Sequence, residues 1–151
     1  MKAADVGSCA AMVCESLIGR QYEFDPMRME EVLLAAVESE DETYVAESGG
    51  MLMGFAWVDP QGAFSTAPYL RLIAVDPRVR SAGVGSALLA EFEERTTEVG
   101  RDFCLLVSDF NEKAVLFYQR HGYRKTGYLE DFAKKGITEI LMVKKREKNH
   151  K

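Results

Sequence analysis

The chain has 151 residues, 47% apolar and 28% charged, which suits one ordinary domain with a buried core and argues against disorder. Its formal net charge of −5 is uneven: residues 144–151 hold five of the 19 basic groups and one of the 24 acidic ones, leaving 14 basic against 23 acidic in residues 1–143. Such an acidic body argues against nucleic acid, which needs a basic face, and suits either plain solubility or a cationic partner such as an amine.

In chain order, Asp5 can cap a first helix running to about Ile18, with Ala10, Val13, Leu17 and Ile18 on its apolar face. A polar and aromatic loop, Gly19 to Pro26, carries Tyr22 and Phe24. Met29, Val32, Leu33, Ala36 and Val37 give a second helix over about Met27 to Ser39. Thr43–Glu47 and Met51–Val58 read as strands joined at Ser48-Gly49-Gly50, with Asp59-Pro60-Gln61-Gly62 as the turn closing the second. Tyr69–Val75 is a strand stopped by Asp76-Pro77, Ser86–Val99 a helix stopped by Gly100, and Phe103–Val107 a strand apolar on both faces. A short helix, Asn111 to His121, begins at a capping asparagine, and Tyr123–Tyr128 and Thr138–Lys145 complete the strands. The order predicts a mixed α/β sheet covered by helices, one domain over residues 1–143 followed by a solvated basic tail, 144–151.

Three cysteines (Cys9, Cys14, Cys104) with no CxxC spacing, and only two histidines, make a zinc site or a disulfide framework unexpected. The thiols read as buried and inert, and a reducing, cytoplasmic setting is expected. Met51–Val58, the longest apolar stretch, is too short to cross a bilayer, and no signal peptide is legible.

Two stretches carry chemistry. Arg80-Ser81-Ala82-Gly83-Val84-Gly85-Ser86 lies between a strand and a helix. Its glycines permit close backbone approach, and the helix start offers free N–H groups and a positive dipole end, so the loop suits an anion such as a pyrophosphate. It is neither a P-loop nor a dinucleotide fingerprint, because no Gly-Lys-Ser/Thr follows and Leu88 stands at the third glycine position. In the second stretch, Asn111 to Tyr123, residues 111, 114, 118 and 121 fall near one helical face. A polar cap, a small residue and a phenol there can line a groove.

Together these stretches resemble the GNAT superfamily of acetyl-CoA-dependent N-acetyltransferases. Arg80 to Gly85 matches that family's Arg/Gln-x-x-Gly-x-Gly/Ala loop after the strand Leu70–Val75, and the Asn-x-x-Ala-x-x-Phe-Tyr run from Asn111 is similar to its second cofactor motif. The resemblance implies a mostly antiparallel sheet of six to seven strands with helices on both faces, two central strands splaying apart, and a missing or shortened first strand. It implies acetyl-CoA as co-substrate, no metal, an amine acceptor and direct attack in a ternary complex. By resemblance, Ile73 and Val75 would pair through their backbone with the pantetheine arm. Backbone N–H groups of Arg80, Ser81, Ala82, Gly83, Val84, Gly85 and Ser86 would cradle the pyrophosphate. Asn111 would hydrogen-bond the arm, Ala114 would leave it room, and Tyr118 would assist thiolate departure. Two strand positions that carry a glutamate base in some members are here Tyr69 and Leu106, which leaves Asp109, Glu130 and Asp131 as acids near the acceptor side.

A phenol near pKa 10 donating to a thiolate near 8.5 is uphill by about 2 kcal/mol, so Tyr118 is expected to act first as a hydrogen-bond donor. Tyr22, Phe24, Glu130, Asp131 and Phe132 are the expected acceptor pocket, its aromatic walls and acidic ends suiting a cation. A homodimer fits the resemblance, with no nucleic acid or membrane as partner. A non-catalytic acyl-CoA-binding or sensing module on the same fold is the alternative.

Overall fold

The computed structural model describes residues 1–80 and 82–147. The helices are α1 (Val6–Cys14), α2 (Leu17–Gln21), α3 (Pro26–Glu38), α4 (Val84–Arg95) and α5 (Glu112–Arg120). The strands are β1 (Glu42–Ser48), β2 (Met51–Ala63), β3 (Ala67–Val75), β4 (Phe103–Ser108), β5 (Arg124–Glu130) and β6 (Thr138–Lys144). They form one six-stranded sheet in the order β1-β2-β3-β4-β6-β5. Every neighbouring pair is antiparallel except β3 and β4, which run parallel. No strand precedes α1 among the described residues, as the resemblance implied.

Strand alternation builds two cores, one on each face. Leu88, Leu89 and Phe92 of α4 and Val115 and Tyr118 of α5 pack with Val58, Leu70, Leu105, Val107, Ile140 and Met142. On the other face, Val6, Cys9, Ala10 and Val13 of α1 and Met29 and Leu33 of α3 cover Phe55 of β2. Leu33 and Phe55 are fully buried, so truncating either to alanine would cost about 2–5 kcal/mol. None of the three cysteines is bridged; burial pushes the Cys9 thiol up to about 12, and Cys14 and Cys104 are raised by burial as well.

Several expectations are corrected. The first helix does not run to Ile18: Ser16 interrupts it, donating to Val13 C=O (2.5 Å) and accepting from Gly19 N–H (3.2 Å) as the cap of α2. A Cβ on Gly19 would lie 2.1 Å from the Val13 carbonyl oxygen, so the sharp α1–α2 corner requires glycine, and Gly19–Gln21 is helix rather than loop. Asp5 does not cap α1; its carboxylate accepts the Lys2 N–H (2.8 Å) and closes a 3₁₀ turn. Asp59-Pro60-Gln61-Gly62 is not the turn, since β2 continues through it to Ala63. The β2–β3 register shifts between Asp59 and Ala63, which removes the ladder hydrogen bond that Pro60 cannot supply. The reversal comes at Phe64 and Ser65, both at positive φ (55° and 57°), with Thr66 N–H donating to Ala63 C=O (3.0 Å). Nor is the basic end simply solvated. Lys144 belongs to β6 and pairs with Glu93 (2.9 Å), while Lys145 Nζ (2.9 Å) and Arg146 N–H (3.0 Å) reach Asp102. The rest of that segment, residues 148–151, lies outside the described residues.

The sheet opens where β3 meets β4. Their pairing comprises only Tyr69 with Cys104 and Leu70 with Leu105. One residue later β3 carries a bulge: Val58 of β2 faces Leu70 while Trp57 faces Leu72, so Arg71 is extra. Arg71 is held in place over the Trp57 ring (5.3 Å) and the Tyr69 ring (5.8 Å), near Asp59 (3.5 Å) and Asp41 (3.7 Å). Beyond the bulge, Leu72–Val75 keeps its partner β2 and has no β4 partner. Past the end of β3, Asp76 caps a 3₁₀ turn through Arg78 N–H (2.8 Å) and pairs with the Arg78 guanidinium (2.6 Å).

Two stability tests follow from these turns. Phe64→Asn with Ser65→Gly places residues that favour positive φ in the reversal, and should stabilise by about 1 kcal/mol, raising Tm by about 2–4 °C in a thermal scan. Hydrogen bonds from Arg78 hold the Asp76 carboxyl at about 2. Its stabilisation is therefore complete above about pH 4 and is lost as pH falls through about 2. In urea titrations across that window, the advantage of the natural chain over Asp76→Asn should shrink toward zero.

Candidate functional site

The opening between β3 and β4 continues into a cleft of about 840 Å³. One wall is the end of β3 from Leu72 to Val75, and the facing wall is Phe110 to Ala114 with Phe117, Tyr118 and Arg120 of the α5 segment. The start of α4 forms a third side, and Ser16, Leu17 and Ile18 at the α1–α2 corner form a rim.

Local chemistry explains each wall. Gly83 stands at the N-cap of α4 with φ +83°, a value that disfavours any side chain, and among the described residues no side chain caps that end. A Cβ on Gly83 would meet no atom of the described residues within 4 Å. The first N–H groups of the 12-residue α4 thus face the cleft with the positive end of the helix dipole. Arg80, just before this helix start, adds a full positive charge, and Lys113, Arg120 and Glu112 also line the cleft. This corner can hold an anion of several charges. Ser86 Oγ lies 3.1 Å from His121 Nε2, tying the first turn of α4 to the end of α5.

Asn111 caps α5 through its side-chain oxygen, which accepts the Ala114 N–H at 3.4 Å. Its amide N–H₂ stays available to the cleft. Tyr118 is 7% exposed and lines the same cleft. Burial alone pushes its phenol upward, so the group is protonated at neutral pH and can only donate or accept a hydrogen bond.

Of the residues expected from the sequence, Ile73, Val75, Arg80, Gly83, Val84, Gly85, Ser86, Asn111, Ala114 and Tyr118 line this one cleft. Ala82 sits in the loop beside it, and Ser81 lies outside the described residues. The expected acceptor residues are not in the cleft wall. Tyr22 and Phe24 stack at 5.6 Å, and Tyr22 also meets Phe110 of the cleft wall at 6.2 Å. Glu130 and Phe132 are exposed, and Asp131 is engaged in its own turn, accepting the Gly136 N–H at 2.6 Å.

Sequence reasoning missed Glu139. It lies on β6 opposite Ser108, at the end of β4 beside the opening, and is 6% exposed. The hydroxyls of Ser108 (2.8 Å) and Tyr22 both donate to its Oε1. Burial and the bond to Glu139 push the Tyr22 phenol up to about 12, keeping it a donor. A signal was present: in Thr138 to Val143 a glutamate takes the alternate position shared with Leu141 and Val143. Among the described residues no group of three or more His, Cys, Asp or Glu is placed to hold a metal, and no helix is long and apolar enough to cross a membrane.

Comparisons with known proteins match this geometry. The structure overlays an aminoglycoside 6'-N-acetyltransferase solved with coenzyme A at a TM-score of 0.80, covering 99% of this chain and 95% of that one at 16% identity. It overlays a ribosomal-protein-alanine N-acetyltransferase from Brucella melitensis at 0.76, covering 97% of both chains at 22% identity. Likenesses at that identity establish the shared fold. In sequence, the chain is 38% identical over 76 residues to a blasticidin-S acetyltransferase of Streptomyces morookaense, half of this chain and 55% of that protein. The matched segment thus spans little more than half the length of that curated relative. A family model described as an acetyltransferase (GNAT) domain matches residues 39–125, from the end of α3 into β5 and so across both walls of the cleft. The chain belongs to the GNAT acetyltransferase family.

Proposed function

We propose that the protein transfers an acetyl group from acetyl-CoA to a primary amine by direct attack in a ternary complex. The observation that carries this reading is the cleft itself. An uncapped helix start with Arg80 beside it lies at one end, an unpaired strand edge along the side, and a buried phenol in the opposite wall.

The cofactor roles follow from those groups. N–H groups from Arg80 to Ser86 bind the pyrophosphate, assisted by the Arg80 and Arg120 side chains. The unpaired edge of β3 at Ile73 and Val75 pairs with the amides of the pantetheine arm as an added strand would. The Asn111 amide donates to the arm, and Ala114 leaves it space. In the transfer, the neutral amine nitrogen forms a bond to the acetyl carbon, and the carbon–sulfur bond breaks with its electron pair left on sulfur. As the amide forms, the nitrogen gives its extra proton to water, and the departing thiolate takes one proton up, so the products are the amide and the free thiol. Tyr118 donates a hydrogen bond to the departing sulfur. Because burial raises the phenol, handing over the proton is less favourable than the ~2 kcal/mol expected from free groups, and hydrogen bonding is the main contribution.

Acetyl-CoA should raise Tm in a thermal-shift assay, and amine-dependent thiol release should accompany it. Tyr118→Phe should lower kcat about 10- to 100-fold while leaving the acetyl-CoA-induced Tm shift intact. Gly83→Val, strained at positive φ, should instead raise KM for acetyl-CoA at least about tenfold. A Tm shift without turnover on any amine would favour the acyl-CoA-sensing alternative.

A further inference from the structure

Glu139 stands out in the molecule because its charge is buried and unmatched. No lysine or arginine pairs with it among the described residues, whereas Glu93, Asp76 and Asp102 each have a cation within 3 Å. Its Oε1 takes both hydroxyls, from Ser108 and Tyr22, and among the described residues no hydrogen bond engages its Oε2. That second oxygen is not sealed either: among the described residues the one enclosed side-chain oxygen or nitrogen without a partner is Glu42 Oε2. A carboxylate held in this way costs folding free energy until a cation reaches it.

The surroundings say what kind of cation fits. Strand register places Leu106 and Leu141 opposite each other, one alternate position along from the Ser108–Glu139 pair and on the same face. That face lies away from the core of α4 and α5, and both leucines stay half-buried. Leu129 of β5, opposite Glu139, is 37% exposed beside them. The loop that carries Tyr22 is fastened over this end by Lys134, which donates to Gln21 C=O (3.0 Å) and lies 3.4 Å from Glu23. The result is an aliphatic floor ending at one buried acid. The acetyl-donor cleft is next door, since Asn111 N–H donates to Ser108 C=O (2.9 Å) and Phe110 meets the Tyr22 ring.

We propose that Glu139 receives the ammonium group of the acceptor through Oε2, and that the acceptor is an amine carrying a flat apolar body that lies on Leu106, Leu129 and Leu141. This rests on the acetyl-transfer reading of the adjoining cleft. Glu139 binds the cation; the ammonium then releases one proton to water to become the neutral nucleophile, and Glu139 takes no part in the bond changes. Ser108 and Tyr22 are positioning residues that hold the carboxylate from its far oxygen.

The test uses thiol release with 2-phenylethylamine and spermidine as probe amines. The natural chain should show a higher kcat/KM for 2-phenylethylamine than for spermidine, a polycation with no flat apolar body. Glu139→Gln keeps the shape and an acceptor for both hydroxyls and removes the buried charge, so its Tm should hold or rise. Its KM for 2-phenylethylamine should rise about 10- to 100-fold while KM for acetyl-CoA is unchanged. Glu98→Gln, on the 3₁₀ turn after α4, serves as the unaffected control. An unchanged amine KM in Glu139→Gln, a preference for spermidine, or no turnover of 2-phenylethylamine by a protein that acetyl-CoA stabilises would each overturn the inference. The two-amine comparison on the natural chain decides the matter even if the variant folds poorly. Failure of acetyl-CoA to shift Tm would instead overturn the acetyl-transfer reading, and this inference with it.

Discussion

Parallel pairing between β3 and β4 lasts for two residue pairs and then ends, and the site is organised around that interruption. A bulge bends a strand and increases its twist. Here the extra residue is Arg71, immediately after the last pair, so β3 turns away at the point where its edge hydrogen bonds to β4 would otherwise continue. The bend is not left to backbone preference. Arg71 lies over the Trp57 and Tyr69 rings and within ion-pair reach of two aspartates, and Trp57 Nε1 donates to Asp41 (2.8 Å), tying these groups together. Unpaired backbone groups on one strand edge are normally a liability in a folded chain. In this fold they line a cleft whose other walls, α4 and α5, stand close enough for a ligand to satisfy them.

Electrostatics divides the same region into two halves of opposite sign. On one side Arg80 and a helix start, with Lys113 and Arg120 elsewhere in the cleft wall, stand within an acidic body, so anion binding there depends on local groups rather than on the field of the whole protein. On the other side of the opening, the carboxylate of Glu139 is sheltered from water, where a single charge counts for more than the many acids on the surface. The net charge of the chain therefore says little about either partner.

Local rules made much of this legible. Glycine at 83, asparagine at 111 and the apolar run from Phe103 are each governed by near neighbours, and the cleft residues named from the sequence come together. What stayed hidden depends on the third dimension. Arg71 looks like any residue in a β-rich run, because its bulge is defined only against β2. Pro60 looks like a turn because the register shift that accommodates it belongs to the partner strand. Ser16 and Gly19 read as helix interior and loop start until the Val13 carbonyl is seen to occupy the space of a side chain. Glu139 was overlooked because a lone acid in a strand signals a solvent face unless its cross-strand partner is known, and that partner is a serine that turns it inward.

The cysteines acquire a different meaning once the neighbouring cleft is read, as proposed, as the seat of a thioester. A thioester exchanges readily with any accessible thiolate, and exchange would move the acetyl group onto the protein itself. Cys9 and Cys104 are buried and Cys14, at the end of the helix that forms the cleft rim, is half-buried; all three thiols are held above their ordinary pKa. At neutral pH their sulfurs are protonated and poorly nucleophilic. On the proposed acetyl-transfer reading, the burial that raises these thiols also keeps an activated acetyl group off the protein's own sulfur.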